Sequence, residues 1–559
     1  MRIGGLEQHS LERIESVPRT SGVADSFGAS LSTPMIDSRN PLRPFAREVV
    51  YALTAGESKT LDSAAIETVG VPQPVLMENA GRSAAQITQC LFPEGSVVGV
   101  VGSGNNGGDT LVLLRTLRAW GREVCAVLVA ERAMGDPLLH GWDIPVIMDE
   151  VLDQSGWDAL LGPCGVAIDG ILGIGAKGPP RDRQASAIAQ LNRASCPVLA
   201  IDVPSGIDSS TGAVQGEAIR ATVTVGFGAP KLGSLLSPAR AHTGRIVVVD
   251  IGFPPSGNTD DFAQVITPLW AQRQLPSRPT DTHKNAVGRL TIIAGQPGMA
   301  GAAVLTTQAA LTAGAGLVRV CSVPENREIL QRSTPEAIYV DVSDDEALQL
   351  ALEDTDAVVL GPGLGTNRLS ANLANKVTKG PGRPLVLDAD ALNLAAEGFF
   401  DLRALGKSRP MLSTPHAGEM SRLLGESKSN IIGDRLAALR EAVERFEHCF
   451  LLKGTPSLIS NTGRGILVGS QGTSDLAVGG MGDTLTGVCG ALIAQGLGVM
   501  EAGAVSLYLT GRAANIAARG ASLTPSDVIR WMPDALIERG AGTSELGFPF
   551  VFYDADAAR

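Results

Sequence analysis

Aromatic side chains are scarce in this sequence, 4% of 559 residues, while hydrophobic residues reach 44% and glycines number 66. That balance describes a soluble α/β protein rich in alanine, glycine and valine. The chain is also too long for one core, so two domains of ordinary size are expected. Positive charge is in short supply, with a formal net charge of −12. This argues against a general nucleic-acid binder or a membrane-surface binder. Anionic substrates must then be held by local backbone N–H groups and helix dipoles. Paired cysteines are missing too: Cys90, Cys125, Cys164, Cys196, Cys321, Cys449 and Cys489 are scattered, with no C-x-x-C motif. They read as buried thiols in a reducing compartment, the cytoplasm, and not as a zinc or disulfide framework. The longest uncharged run, residues 484–500, is broken by Gly487, Gly490, Gln495, Gly496 and Gly498. It is expected to be a core helix and the turn after it, so no membrane span is expected. The N-terminal stretch has no continuous apolar segment and mixes arginines with Glu7, Glu12, Glu15 and Asp25, which supports neither a secretory signal nor a transit peptide.

What is present is alternation. Ser96–Val101 is a continuous apolar run that enters Gly102-Ser103-Gly104-Asn105-Asn106-Gly107-Gly108-Asp109, followed by helical spacing to Trp120 and a second apolar run to Ala130. Strand, glycine loop, helix and strand make a βαβ unit with a parallel sheet. The pattern recurs, with one strand ending at Asp169 and the next at Asp202, so two carboxylates emerge at the ligand edge of that sheet. Residues 1–45 read as a mobile tail, 46–254 as a first domain with a Rossmann-like three-layer α/β fold, 255–279 as a linker rich in proline and serine, and 541–559 as a second tail. In the second α/β domain, residues 280–540, five strand ends in a row carry glycine or polar signals: Gly295, Gly361-Pro362-Gly363-Leu364-Gly365, Asp388, Pro415-His416 and Lys453-Gly454. One edge of that sheet should be a long ligand groove.

Chemistry concentrates at Gly472–Gly487. Gly479, Gly480 and Gly482 let bare N–H groups approach an anion, and the helix start that follows adds its positive dipole end. Asp483 is delivered at that mouth, where a substrate hydroxyl could meet a nucleotide's terminal phosphate. A second phosphate-type loop, Lys453-Gly454-Thr455-Pro456-Ser457, lies about one strand upstream. In the first domain, G-x-G-x-x-G at Gly102–Gly107 is a weak signal by itself, and Asp109 would oppose a bare pyrophosphate there. The Asn105-Asn106 pair with Asp169, Asp202 and Ser205 offers hard oxygen ligands for a metal cation.

Met77-Glu78-Asn79-Ala80-Gly81, Gly104–Asp109, Asp169–Gly175, Ile201–Gly206 and Phe227-Gly228-Ala229-Pro230-Lys231 together resemble the NAD(P)H-hydrate epimerase family. Gly361–Gly365, Asp388-Ala389-Asp390, Thr414–Glu419 and Gly480–Asp483 resemble the ribokinase-like NAD(P)H-hydrate dehydratase family. The order matches the fused bacterial repair enzymes over about residues 48–535. The resemblance implies that Asn105, Asn106, Gly107, Gly108 and Asp109 contact the hydrated dinucleotide, with Gly173, Ile174, Gly175, Ala176, Lys177, Gly178, Pro179 and Asp202 completing the pocket. It implies K+ on Asn106, Asp169 and Ser205, with Asp202 assisting proton transfer. In the other domain it implies that Ala302, Gly363 and His416 hold the hydrated cofactor. Lys453, Gly454, Thr455, Pro456, Ser457 and Gly482 would hold ADP or ATP with Mg2+, and Asp483 would be the base. The implied substrates are hydrated NADH and NADPH, and a homo-oligomer is expected. Thr110, Ile174 and Met481 stand where the families commonly have Gly, Thr and Thr. The alternative is a ribokinase-like small-molecule kinase with a non-catalytic N-terminal ligand-binding module.

Overall fold

The computed structural model describes residues 41–558 except 44, 133–135, 255–258, 260, 279, 282 and 285; the expected tail at 1–40 lies outside them. Among the described residues the strands form two sheets. In the first, Ser96–Val101 is the first of the parallel strands in chain order and sits inside, with Val124–Leu128 and Val146–Met148 on one side and Cys164–Gly170, Val198–Ile201, Val223–Phe227 and Arg245–Val249 on the other. The winding direction therefore reverses between Ser96–Val101 and Cys164–Gly170. At such a point the loops leaving two neighbouring strands diverge and open a crevice. Helices Gln73–Leu91 and Asn105–Ala119 cover one face and Gln154–Leu161 and Asp182–Arg193 the other, giving three layers.

The second sheet runs Ile338–Asp341, Leu317–Ser322, Arg289–Ile293, Ala357–Leu360, Leu385–Leu387, Met411–Ser413 and Cys449–Leu452 in parallel, then continues through an antiparallel meander. The five strand ends singled out in the sequence thus stand side by side along one edge. Apolar helices Ala300–Thr312, Met481–Ala494 and Val499–Ala517 cover one face, and the uncharged run 484–500 is indeed helix, turn and the start of the next helix. No helix among the described residues is long and apolar enough to cross a membrane.

Three boundary expectations need correction. The segment read as a linker contributes the strand Ala263–Val265 and the helix Pro268–Gln274 to the second sheet's lobe, because its apolar residues Ala263, Val265, Ile266 and Ala271 are buried. The first tail ends earlier than expected, since Leu42 is buried and Phe45–Ala46 is a strand. The C-terminal segment is no tail either: Val551–Ala555 is inserted antiparallel between Arg245–Val249 and Phe45–Ala46. Asp554, wholly buried, accepts two hydrogen bonds from the Arg245 guanidinium, at 2.8 and 2.7 Å. The thiols depart from expectation at two places, with Cys90 exposed and Cys125 half-buried, while the other five are buried.

Ending the chain after Gly540 would strip four buried apolar side chains, Leu546, Val551, Phe552 and Tyr553, along with buried Asp554. Each apolar side chain contributes roughly 1.5–3 kcal/mol. Such a truncation is expected to melt several degrees below the full chain, as read by differential scanning calorimetry.

Candidate active sites

At the reversal point of the first sheet lies a cavity of about 420 Å³. Gly102 is irreplaceable there, since a Cβ would come within 2.0 Å of the Ile171 carbonyl oxygen. The helix begins immediately afterwards, at Asn105, so Asn105 to Asp109 form its first turn instead of a loop. Asn105, Asn106 and Asp109 line the cavity, as do Gly173, Ile174, Gly175, Ala176 and Asp202. Gly107 and Gly108 are buried against the Gly102 carbonyl and Met77, and Lys177, Gly178 and Pro179 are exposed outside the lining. Ile174 therefore presents an aliphatic side chain to the cavity, while Thr110 is an internal strut whose hydroxyl donates to the Asn106 carbonyl at 2.9 Å.

Asn106 and Ser205 meet at Leu172, and Ser205 in turn holds Asp169. The Asn106 amide donates to the Leu172 carbonyl at 2.9 Å, and the Leu172 N–H donates to Ser205 Oγ at 2.9 Å. Ser205 donates to Asp169 twice, from its hydroxyl at 2.6 Å and its N–H at 2.8 Å. Burial raises the Asp169 carboxyl to about 6 against those bonds.

Across the cavity, Lys231 is 4% exposed and its ammonium binds Asp202 and the carbonyls of Phe227 and Ala229. Asp202 holds a positive φ of 65°, an unfavourable backbone for a non-glycine residue. Asp109 has no hydrogen-bond partner for its carboxyl among the described residues. Burial first, then the charges of Asp202 and Asp62, push it well above the carboxylate range. Burial likewise raises Asp62, on the helix Ala55–Ser63, with Lys231 opposing. One ammonium thus serves three carboxyls, an arrangement in which at least one carboxyl is favoured as the neutral acid.

The second site lies on the strand-end edge of the other sheet. Gly480, at φ 89°, caps the helix Met481–Ala494 and places Asp483 in its first turn. Burial first, then Asp388, raises the Asp483 carboxyl to about 6, with Lys453 opposing. No hydrogen bond reaches that carboxyl among the described residues. Asp388 is 1% exposed on its side chain and is gripped by Lys453 at 2.7 Å and Thr486 Oγ1 at 2.7 Å. Ala389, strained at φ 49°, turns the chain so that Asp390 instead accepts the Gly365 N–H at 2.7 Å. Burial pulls the Lys453 ammonium down, but Asp388, Glu419 and Asp483 outweigh it and hold it above its ordinary range. Gly482 faces this cluster, with room for a Cβ only 3.3 Å from Lys453 Nζ. Ala302 and Gly363 are neighbours: a Cβ on Gly363 would lie 2.9 Å from that of Ala302.

His416 does two things. Its Nδ1 accepts N–H bonds from Gly418 at 2.9 Å and Glu419 at 3.2 Å, capping the helix Ala417–Leu424. Its ring is also half exposed on the groove, and burial, then Lys453 and Arg422, lower its pKa. The neutral tautomer with hydrogen on Nε2 follows, and that nitrogen lies 3.3 Å from Glu419 Oε1.

Sequence reasoning missed Lys231, Asp62, Asp388, Glu419 and Thr486 as site members. Asp388 was singled out as a strand end and Lys231 stands in a motif four residues after the strand Val223–Phe227, but neither was assigned to a site. Thr486 and Glu419 also lie within stretches already singled out, whereas Asp62 carries no local signal.

Fold and sites together define a two-lobed α/β protein in which each lobe has its ligand edge at the carboxyl ends of parallel strands. Residues 73–233 match the family described as YjeF-related protein N-terminus, and residues 290–533 match the NAD(P)H-hydrate dehydratase family. The bifunctional NAD(P)H-hydrate repair enzyme of Moorella thermoacetica is 35% identical over 518 residues, covering 87% of this chain and 97% of that protein. Its counterpart in Salinibacter ruber is 35% identical over 528 residues, covering 87% and 96%. A solved ribokinase-like superfamily protein from Enterococcus faecalis is similar to 51% of this chain and 98% of its own, at 24% identity and a TM-score of 0.46. The chain belongs to the bifunctional NAD(P)H-hydrate repair enzyme family.

Proposed function

We propose that this protein returns hydrated nicotinamide nucleotides to use. The first lobe interconverts the R and S forms of hydrated NADH or NADPH, and the second dehydrates the S form at the expense of ADP or ATP. The observation that carries this is Asp483: a partly buried carboxylate in the first turn of a glycine-capped helix, beside Lys453 and Asp388, with its oxygens free. The C6 hydroxyl of the hydrate leaves poorly as hydroxide. Asp483 accepts the hydroxyl proton while the oxygen takes the nucleotide's terminal phosphoryl group, releasing AMP from ADP or ADP from ATP. The ring-nitrogen lone pair then expels phosphate from C6, and loss of a proton from C5 restores the dihydropyridine. Among the described residues no three His, Cys, Asp or Glu side chains are grouped to hold a metal. Mg2+ would therefore arrive on the nucleotide's phosphates, its common mode.

In the first lobe, Asn106, Asp169 and Ser205 would hold K+. The donor set fits a hard cation: Asn106 Oδ1 has no donor among the described residues, because only its amide nitrogen is engaged. Asp202, fixed by Lys231, would move the proton during ring opening or water loss, with Asp109 as the neutral acid in the same cavity.

Incubating the protein with hydrated NADH and ADP or ATP tests the reading. Regained NADH absorbance with free phosphate supports it, and a stable phosphorylated product would replace it with a simple kinase. The pH profile follows from the sign of the shift. A base whose pKa is raised to about 6 is competent above that value and loses its proton-accepting form as pH falls through it. The logarithm of the dehydration rate should accordingly fall with about unit slope below about pH 6.

A further inference from the structure

The loop Lys453–Ser457 reaches its ligand with less positive charge than it first offers. Lys453 is already matched by Asp388 at 2.7 Å and by Glu419 at 3.9 Å. With Asp483 beside them, one ammonium faces three carboxyls, and a nucleotide adds further negative charge. A second protein cation would favour the anion there, beside the backbone N–H groups and any Mg2+ the nucleotide carries.

That cation is present on the far side of the loop. Arg435 opens the helix Arg435–Phe446, and its guanidinium lies where a side chain on Gly454 would otherwise be: a Cβ there would meet Nη2 at 2.5 Å, Cζ at 2.7 Å and Nε at 3.2 Å. Glycine at 454 is what lets the guanidinium approach the loop. Its single hydrogen bond among the described residues is a long one, from Nη2 to the Leu452 carbonyl at 3.3 Å. Among the described residues no carboxylate pairs with it, and the adjacent Asp434 caps the same helix by accepting the Ala437 N–H at 2.9 Å. A partly buried guanidinium with four of its five N–H donors unused costs free energy unless an anion completes it.

We propose that Arg435 is a phosphate-binding residue of the nucleotide site, its guanidinium donating to the phosphates of a nucleoside di- or triphosphate held by the Lys453–Ser457 loop. This rests on the reading that the loop takes a nucleotide. Burial lowers the Arg435 pKa to about 10, which still leaves it charged at neutral pH. The planar fork suits two phosphate oxygens at once, which an ammonium does not. Arg435 thus supplies the affinity for phosphate, while Lys453 orients Asp388 and balances the carboxyls around the reacting hydroxyl.

The test uses the full chain with hydrated NADH, ADP and Mg2+. Arg435→Gln should raise the KM for ADP, and the dissociation constant read by calorimetry, by roughly tenfold to a hundredfold, the range for a lost charged hydrogen bond. The KM for hydrated NADH, and the kcat at saturating ADP, should hold. Arg435→Lys keeps the charge and stem and should show a smaller loss in the same constants, which also guards against a folding defect in the glutamine variant. An unchanged ADP affinity overturns the inference, as does a matching rise in the KM for hydrated NADH, which would mark a structural role. Failure of the parent protein itself to bind ADP or restore NADH overturns the nucleotide reading along with it.

Discussion

Asp483→Asn is expected to reduce dehydration by roughly a hundredfold to ten-thousandfold, the usual contribution of a positioned general base. The substitution keeps the shape of the side chain and removes only its ability to take a proton. Its second effect should run the other way. Asp483 shares its surroundings with Asp388, Asp390 and Glu419, all of which raise its pKa, and Lys453 alone opposes them. A neutral amide relieves that repulsion, so the variant should melt no lower than the parent. Loss of turnover with an unchanged or higher thermal midpoint, and with epimerisation intact, separates chemistry from folding. Turnover close to that of the parent would remove Asp483 from the mechanism.

Lys231→Met should damage the other lobe in both activity and stability. The ammonium is 4% exposed, binds Asp202 and two carbonyls, and offsets the charges at Asp62 and Asp109. Breaking one side of a buried pair costs about 3–5 kcal/mol, because the other charge remains without compensation. Epimerisation should be lost, since Asp202 would no longer be held at its strained position, while pure S hydrate should still be dehydrated at the parental rate. Adding Asp202→Asn to Lys231→Met should recover much of the stability and none of the epimerisation. Recovery of both would assign the pair a purely structural role.

Much of the architecture was legible because parallel strands buried on both faces write themselves as uninterrupted apolar runs, and their carboxyl ends as glycine or aspartate. Ser96–Val101 and the five strand ends of the second lobe were visible for that reason. Position along one chain also sufficed to bring Ala302 to Gly363 and Asp169 to Ser205 once the sheet order was known. What stayed hidden depends on partners far apart in sequence. Val551–Ala555 is short, and the reason it is a strand lies at Arg245–Val249, about three hundred positions earlier. His416 was expected to hold the hydrated cofactor, and the same ring also caps a helix, a role more usual for Ser, Thr, Asp or Asn. Lys177, Gly178 and Pro179 follow a glycine turn whose path outward no local pattern specifies.

The threading of the chain's ends through both lobes bears on how the protein is born. Tyr51–Ala52 forms the edge of the later sheet, and Val551–Ala555 is the last strand but one of the earlier sheet, between Arg245–Val249 and the edge strand Phe45–Ala46. On the ribosome, the lobe synthesised first must therefore wait for the last strand to emerge before its hydrogen-bond ladder is complete. Neither half, cut out at the junction, carries all of its own strands, so each sheet is completed only when both ends of the chain are present.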